Sequence, residues 1–169
     1  KPSTQLPTPD ELWAEQAKRR LGEYIRQAWH VVEPATGFVP NWHIDVMAEH
    51  LEAVTRGEIR NLIINIPPGC MKSLTTCVFW PTWAWLTKPS LRWLFASYAD
   101  GLAIRDSLKC RRIILSPWYQ RNWGHLYRLA GDQNVKGRFE NDKTGYRLSV
   151  GVGGSATGEG GDILVVDDP

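Results

Sequence analysis

The chain has 169 residues, 43% of them hydrophobic and 22% charged, with a net charge of +2. That length suits one domain with a real core, and so small a positive excess gives no argument for nucleic acid, so any such contact has to come from a local patch. Three scattered cysteines, Cys70, Cys77 and Cys110, exclude a disulfide framework and paired zinc spacing, and a reducing, intracellular setting is expected.

The first residues, KPSTQLPTPDELW, carry no apolar run of the signal-peptide kind. Thr8 and Glu11 frame a capping box, with Pro9 at the first helical position. Trp13, Ala17, Leu21, Tyr24 and Ala28 follow as one apolar stripe at helical spacing. The basic run Lys18 to Arg20 reads as a solvated face. After the loop EPATGFVPN, Asn41 caps a second helix whose buried stripe is Ile44, Met47, Leu51 and Val54, and Gly57 stops it. NLIINI, residues 61–66, predicts a fully buried strand ending at Pro67 and Pro68.

From Lys72 the pattern turns helical, and Pro81 is expected to kink or break that helix. The same stretch, LTTCVFWPTWAWL, is the most apolar in the chain and too short to span a bilayer, which takes about 20 residues. Four of the nine tryptophans cluster between positions 80 and 93, as Trp80, Trp83, Trp85 and Trp93. Core packing is the expectation for them, with base stacking as the alternative. LRWLFASY predicts a strand and DGLAIRDSLKCRRIIL a helix, with Leu102 and Ile113 on its apolar side. Arg105, Lys109 and Arg112 share one face of that helix, read as solvated, with phosphate or subunit contact as the sharper alternative. RFENDKTGYRLSV predicts a hairpin turning at Asn141 to Gly145. A glycine-rich loop, GVGGSATGEGG, leads to a last apolar strand, DILVVDD. His30, His50 and His125 lack ligand companions and read as structural. Strands alternating with helices give an α/β class with a mainly parallel sheet.

The chemistry concentrates in NIPPGCMKS. A phosphate-binding loop needs inward backbone N–H groups, a helix N-terminus behind them, and a lysine for the outer phosphates, followed by a Ser or Thr for Mg²⁺. Gly69 permits close backbone approach, Lys72 is placed for the β/γ-phosphates and Ser73 for the metal. Against the GxxxxGK[ST] template, however, Ile66 and Met71 replace both glycines. A left-handed backbone at Met71 would cost about 1–2 kcal/mol. The plainer reading is a chance strand–turn–helix.

The partner element is ILVVDD. Its acids emerge at the carboxyl end of a strand, the edge where open α/β sheets bind ligands. Asp167 is placed for the Mg²⁺ shell, and Asp168 to orient or deprotonate an attacking water. The plainer reading is a strand followed by a capping Asp-Asp-Pro turn.

These elements, in this order, resemble the ATPase domain of the terminase large subunit, the DNA-packaging motor of tailed bacteriophages. The resemblance runs from Phe38 to Pro169. It lies in FVPNWHIDVMAEHLEAVTRGEIRNLIINIPPGCMKS, in ASYADGLAIRDSLKCRRIILSPWYQ and in RFENDKTGYRLSVGVGGSATGEGGDILVVDDP. It implies a RecA-like P-loop fold over residues 38–169, with residues 1–37 as a helical lead-in. It implies Mg²⁺-dependent ATP hydrolysis coupled to translocation of double-stranded DNA into a procapsid, in the host-cell cytoplasm and away from membranes. The implied partners are a portal protein, a small terminase subunit and further copies in a pentameric ring. The nucleotide site would comprise Pro68, Gly69, Cys70, Met71, Lys72, Ser73 and Leu74, with Trp42 and His43 toward adenine. Asp168 stands where the family often has Glu. The coupling motif, the remaining sheet strands and the nuclease domain of that family are not in this sequence, which is expected to be a fragment. Arg147 either pairs with Glu140 across the hairpin or approaches the γ-phosphate of a neighbouring subunit. Two other readings stay open: a helicase-like or other RecA-type translocase, and a degenerate P-loop module that binds DNA or portal without hydrolysis.

Overall fold

The computed structural model describes residues 6–97, 100–131, 137–151 and 160–168. Helix α1 (Pro9–Arg19) begins at the expected capping box: the Thr8 side chain accepts from the Glu11 N–H, and the Glu11 carboxylate accepts from the Thr8 N–H at 2.7 Å. The apolar stripe does not continue as one helix. Arg20 is extended, and α2 (Leu21–Val32) starts afresh because the buried carboxylate of Glu52 accepts the Leu21 N–H at 2.7 Å. A contact from 31 positions along the chain therefore breaks the helix, and Trp13 is left 62% exposed. Leu21, Tyr24, Ile25 and Ala28 of helix α2 belong to the same buried cluster as Phe79 and Trp83.

Helix α3 (Trp42–Arg56) buries Ile44, Met47 and Leu51, and stops at Gly57, whose φ of 81° is left-handed as expected of a C-terminal glycine. Asn41 flanks its start without a side-chain capping bond. The segment 61–66 is the first large departure. It pairs with no strand among the described residues, and Ile63 is 91% exposed. An apolar hexapeptide becomes a strand only when a neighbour supplies a ladder, and none lies beside it among the described residues.

Beyond Ser73 the chain forms a π-helical segment, Leu74–Phe79, which runs into the short helix α4 (Trp80–Ala84). Pro81 explains the disturbance: it has no N–H for the carbonyl four residues back, and its ring crowds that carbonyl. The helix is thus deformed before the proline rather than ended by it.

Strands β1 (Arg92–Ser97), β2 (Arg138–Glu140), β3 (Tyr146–Gly151) and β4 (Ile163–Asp167) form one mixed sheet in the order β2-β3-β1-β4. β1 pairs in parallel with β3 and with β4, while β2 and β3 make the antiparallel hairpin. Helix α5 (Asp100–Leu115) forms the crossover after β1, and α6 (Pro117–Trp123) follows, capped by Ser116. The expected α/β class holds, with a sheet of four strands among the described residues.

The register aligns Trp93 with Arg147 and Ile163, and Phe95 with Ser149 and Val165, so these side chains share the face against α5 and the π-helical segment. Trp80 meets Trp93 edge-on at 4.8 Å, and Trp85 packs on Tyr127 and Phe139. All four clustered tryptophans are buried, which is the core reading. On the other face of β4, Leu164 and Val166 are exposed, so this strand is buried on one side rather than both. No helix of the described residues is long and apolar enough to cross a membrane.

Candidate functional site

Two backbone features build the loop. Gly69 and Met71 both take positive φ, 83° and 63°. Met71 therefore adopts the left-handed conformation that glycine serves in the usual template. Its side chain packs against the core cluster, which offsets part of the strain. From this a prediction follows for measurement by calorimetry. Met71→Gly should keep Mg-ATP affinity within about threefold, whereas Met71→Ile should weaken it about tenfold, because a branched Cβ tolerates positive φ worst.

The turn delivers Lys72 to the carboxyl edge of the sheet. Its ammonium lies 3.1 Å from a carboxylate oxygen of Asp167 and donates a hydrogen bond to Asp168. Asp167 reaches this edge because it is the last residue of β4, in register with Ser97 at the end of β1. Asp168 follows with φ 47°, in the left-handed region, and its side chain is exposed. The hydrogen bond to Asp168 is the main cause that raises the Lys72 pKa above the ordinary lysine value. Residues separated by more than ninety positions thus converge at one sheet edge.

Ser73 directly precedes the π-helical segment, and Leu74 opens it half-buried against the core. Trp42 and His43, at the start of α3, line a cavity of about 510 Å³ together with His50, Leu62, Ile64 and Cys70. The cavity adjoins the loop through Cys70 and is mainly apolar. Its walls are α3 and the unpaired segment 61–66. The glycine-rich stretch 152–159, read as a loop before β4, lies outside the described residues.

Several residues take other places than expected. Arg147 is only 1% exposed: it points beneath the sheet, stacks on the Phe95 ring at 4.1 Å and donates to the Ser149 hydroxyl and the Cys77 carbonyl. A residue so buried neither pairs with Glu140 across the hairpin nor reaches a neighbouring subunit. Its place follows from register, since opposite Trp93 it has to face inward. Lys109 is bound to Glu33 at 2.9 Å, and Arg105 to Asp106 at 3.2 Å, so that helix face is partly engaged within the chain. His50 and His30 hydrogen-bond to backbone carbonyls of their own helices.

Neither Asp106 nor the closeness of Cys77 to the acids carries a local signal in the sequence. Ligand atoms of Cys77, Asp106 and Asp167 lie within 4.8 Å of one another. Burial pushes the Cys77 thiol up to about 12, so in the absence of a metal it stays a neutral thiol at neutral pH. Burial also raises the Asp106 pKa, against the pull of Arg105. The folded state therefore holds this proton more tightly than the unfolded chain, and stability contributed by Asp106 falls as pH rises through that interval. Asp106→Asn should gain thermal stability over the unmodified protein as pH is raised from 4 to 7. Parallel melting-temperature profiles would contradict this.

Asp167 and Ser73 carry hard oxygen donors, the type that divalent cations take, and in this structure the Asp167 carboxylate is paired with the Lys72 ammonium. No family model, curated protein or solved structure matches the chain.

Proposed function

We propose that this chain is a Mg²⁺-dependent ATPase domain of RecA-like type, from a terminase large subunit that drives double-stranded DNA into a procapsid. The observation that carries the nucleotide reading is the meeting of Lys72, behind a doubly left-handed turn, with Asp167 and Asp168 at the carboxyl edge of a parallel strand pair. A chance strand–turn–helix has no reason to meet a distant acidic strand end. The motor assignment, with portal protein, small terminase subunit and a pentameric ring as partners, rests on the resemblance in sequence.

In this reading the amides of 69–73 face the phosphates, Lys72 contacts the β/γ-phosphates, and Ser73 and Asp167 hold Mg²⁺. The metal neutralises charge on the phosphates when bound. Trp42 and His43 border the cavity that would take the base. Lys72 must exchange its carboxylate partners for phosphate oxygens, and this releases Asp168 to take up a proton from water. The lysine–acid contact also supports one rival, a module that binds DNA or portal without hydrolysis, in which that contact never opens.

Isothermal calorimetry and a basal ATPase assay separate the two readings. Cys70, partly exposed beside the loop, supplies an independent probe. Saturating Mg-ATP should slow its modification by a thiol reagent at least about fivefold, a protection set by occupancy of the loop. Modification at the same rate with and without nucleotide would place the nucleotide elsewhere.

A further inference from the structure

A regular helix would give the Cys77 carbonyl the N–H of residue 81, and residue 81 is proline. The structure supplies donors from outside the helix instead. The Arg147 guanidinium donates to the Cys77 carbonyl at 3.3 Å, and the Cys110 thiol donates to the same oxygen at 3.3 Å. Arg147 comes from β3, crosses the inner face of the sheet, and is clamped by the Phe95 ring and the Ser149 hydroxyl. Ser149 in turn donates to the Ala103 carbonyl of α5 at 3.2 Å. The segment that receives this support is the π-helical run starting at Leu74, immediately behind Lys72 and Ser73.

We propose that Arg147 is a positioning residue for the phosphate loop: it replaces the hydrogen bond that Pro81 denies to Cys77, and so holds the π-helical register that aims Lys72 and Ser73. The inference rests on the phosphate-loop reading. Three observations support it beyond simple core packing. A buried arginine is costly unless its charge does something an apolar residue cannot. Its target is the carbonyl whose α-helical partner would be Pro81, not a carboxylate. In a π-helical turn each residue is rotated from its α-helical place, so a change of register behind Ser73 redirects both loop side chains.

The test uses Arg147→Met, Arg147→Lys, Pro81→Ala and the double variant P81A/R147M in the full chain. Mg-ATP affinity is read by calorimetry and amide hydrogen exchange is followed across residues 72–79. R147M should weaken binding on the order of tenfold and speed exchange in the segment, while R147K keeps part of the affinity. P81A restores an N–H in line with the Cys77 carbonyl, so it should bind nearly as the parent does. Introduced into R147M, it should recover most of the affinity. Unchanged binding in R147M, or no recovery in the double variant, overturns the inference while the parent still binds nucleotide. A parent that binds no Mg-ATP overturns the positioning role together with the phosphate-loop reading. If R147M does not fold, a folded and binding-competent double variant supports the proposal, and a double variant that also fails to fold overturns it.

Discussion

Replacing Lys72 by alanine is expected to weaken Mg-ATP binding about a hundredfold, as a charged donor to the outer phosphates is lost. The change also touches stability through two unlike contacts. Asp168 is largely exposed and its attraction to Lys72 is screened by solvent, so that contact accounts for less than about 1 kcal/mol, whereas the more buried Asp167 loses its ammonium partner. The pH dependence follows from the raised lysine pKa. The contact contributes fully below the ordinary lysine value of 10.5 and is lost only as pH rises through the higher folded value. Affinity should therefore be insensitive to Lys72 titration between pH 6 and 9. Calorimetry on folded Lys72→Ala decides the matter, and equal affinity in the variant would remove Lys72 from the nucleotide site.

Asp168→Asn is expected to lower ATP turnover by about 10²–10⁴-fold, the range for loss of a general base, with binding kept within a few-fold. This substitution is a clean test for a structural reason. Asp168 has φ 47°, and asparagine tolerates that left-handed backbone as well as aspartate does, so the variant should keep the chain path beyond β4. The amide also retains an acceptor for Lys72. What it loses is the capacity to take a proton. A steady-state ATPase assay showing unchanged turnover would end the role proposed for Asp168. Asp167→Asn should behave differently, raising the Mg²⁺ concentration needed for half-maximal activity.

Much of this arrangement could be read from local sequence. The Thr8–Glu11 box, the stop at Gly57, the turn at Asn141 to Gly145 and the β1–α5 unit are local signals, and each appears where expected. That Lys72 should meet Asp167 and Asp168 at one sheet edge was expected because phosphate and metal chemistry restrict residue type and spacing, and the three side chains do meet there. Residues 61–66 were misjudged as a strand for a physical reason: apolar composition measures readiness to pair, whereas a strand exists only with a partner beside it. The break at Arg20 was invisible because its cause, Glu52, lies on another helix.

By itself the sequence determined the residue types at the site, the left-handed demand placed on Met71, and the proline that denies Cys77 its helix bond. Tertiary structure alone decided that Lys72 meets Asp167 and Asp168, that Arg147 turns inward, and that Asp106 lies buried beside Asp167. The division has one cause. Local patterns report the backbone's preferences over a few residues, but the sheet register, set by β1 between β3 and β4, brings distant side chains to one edge and one face.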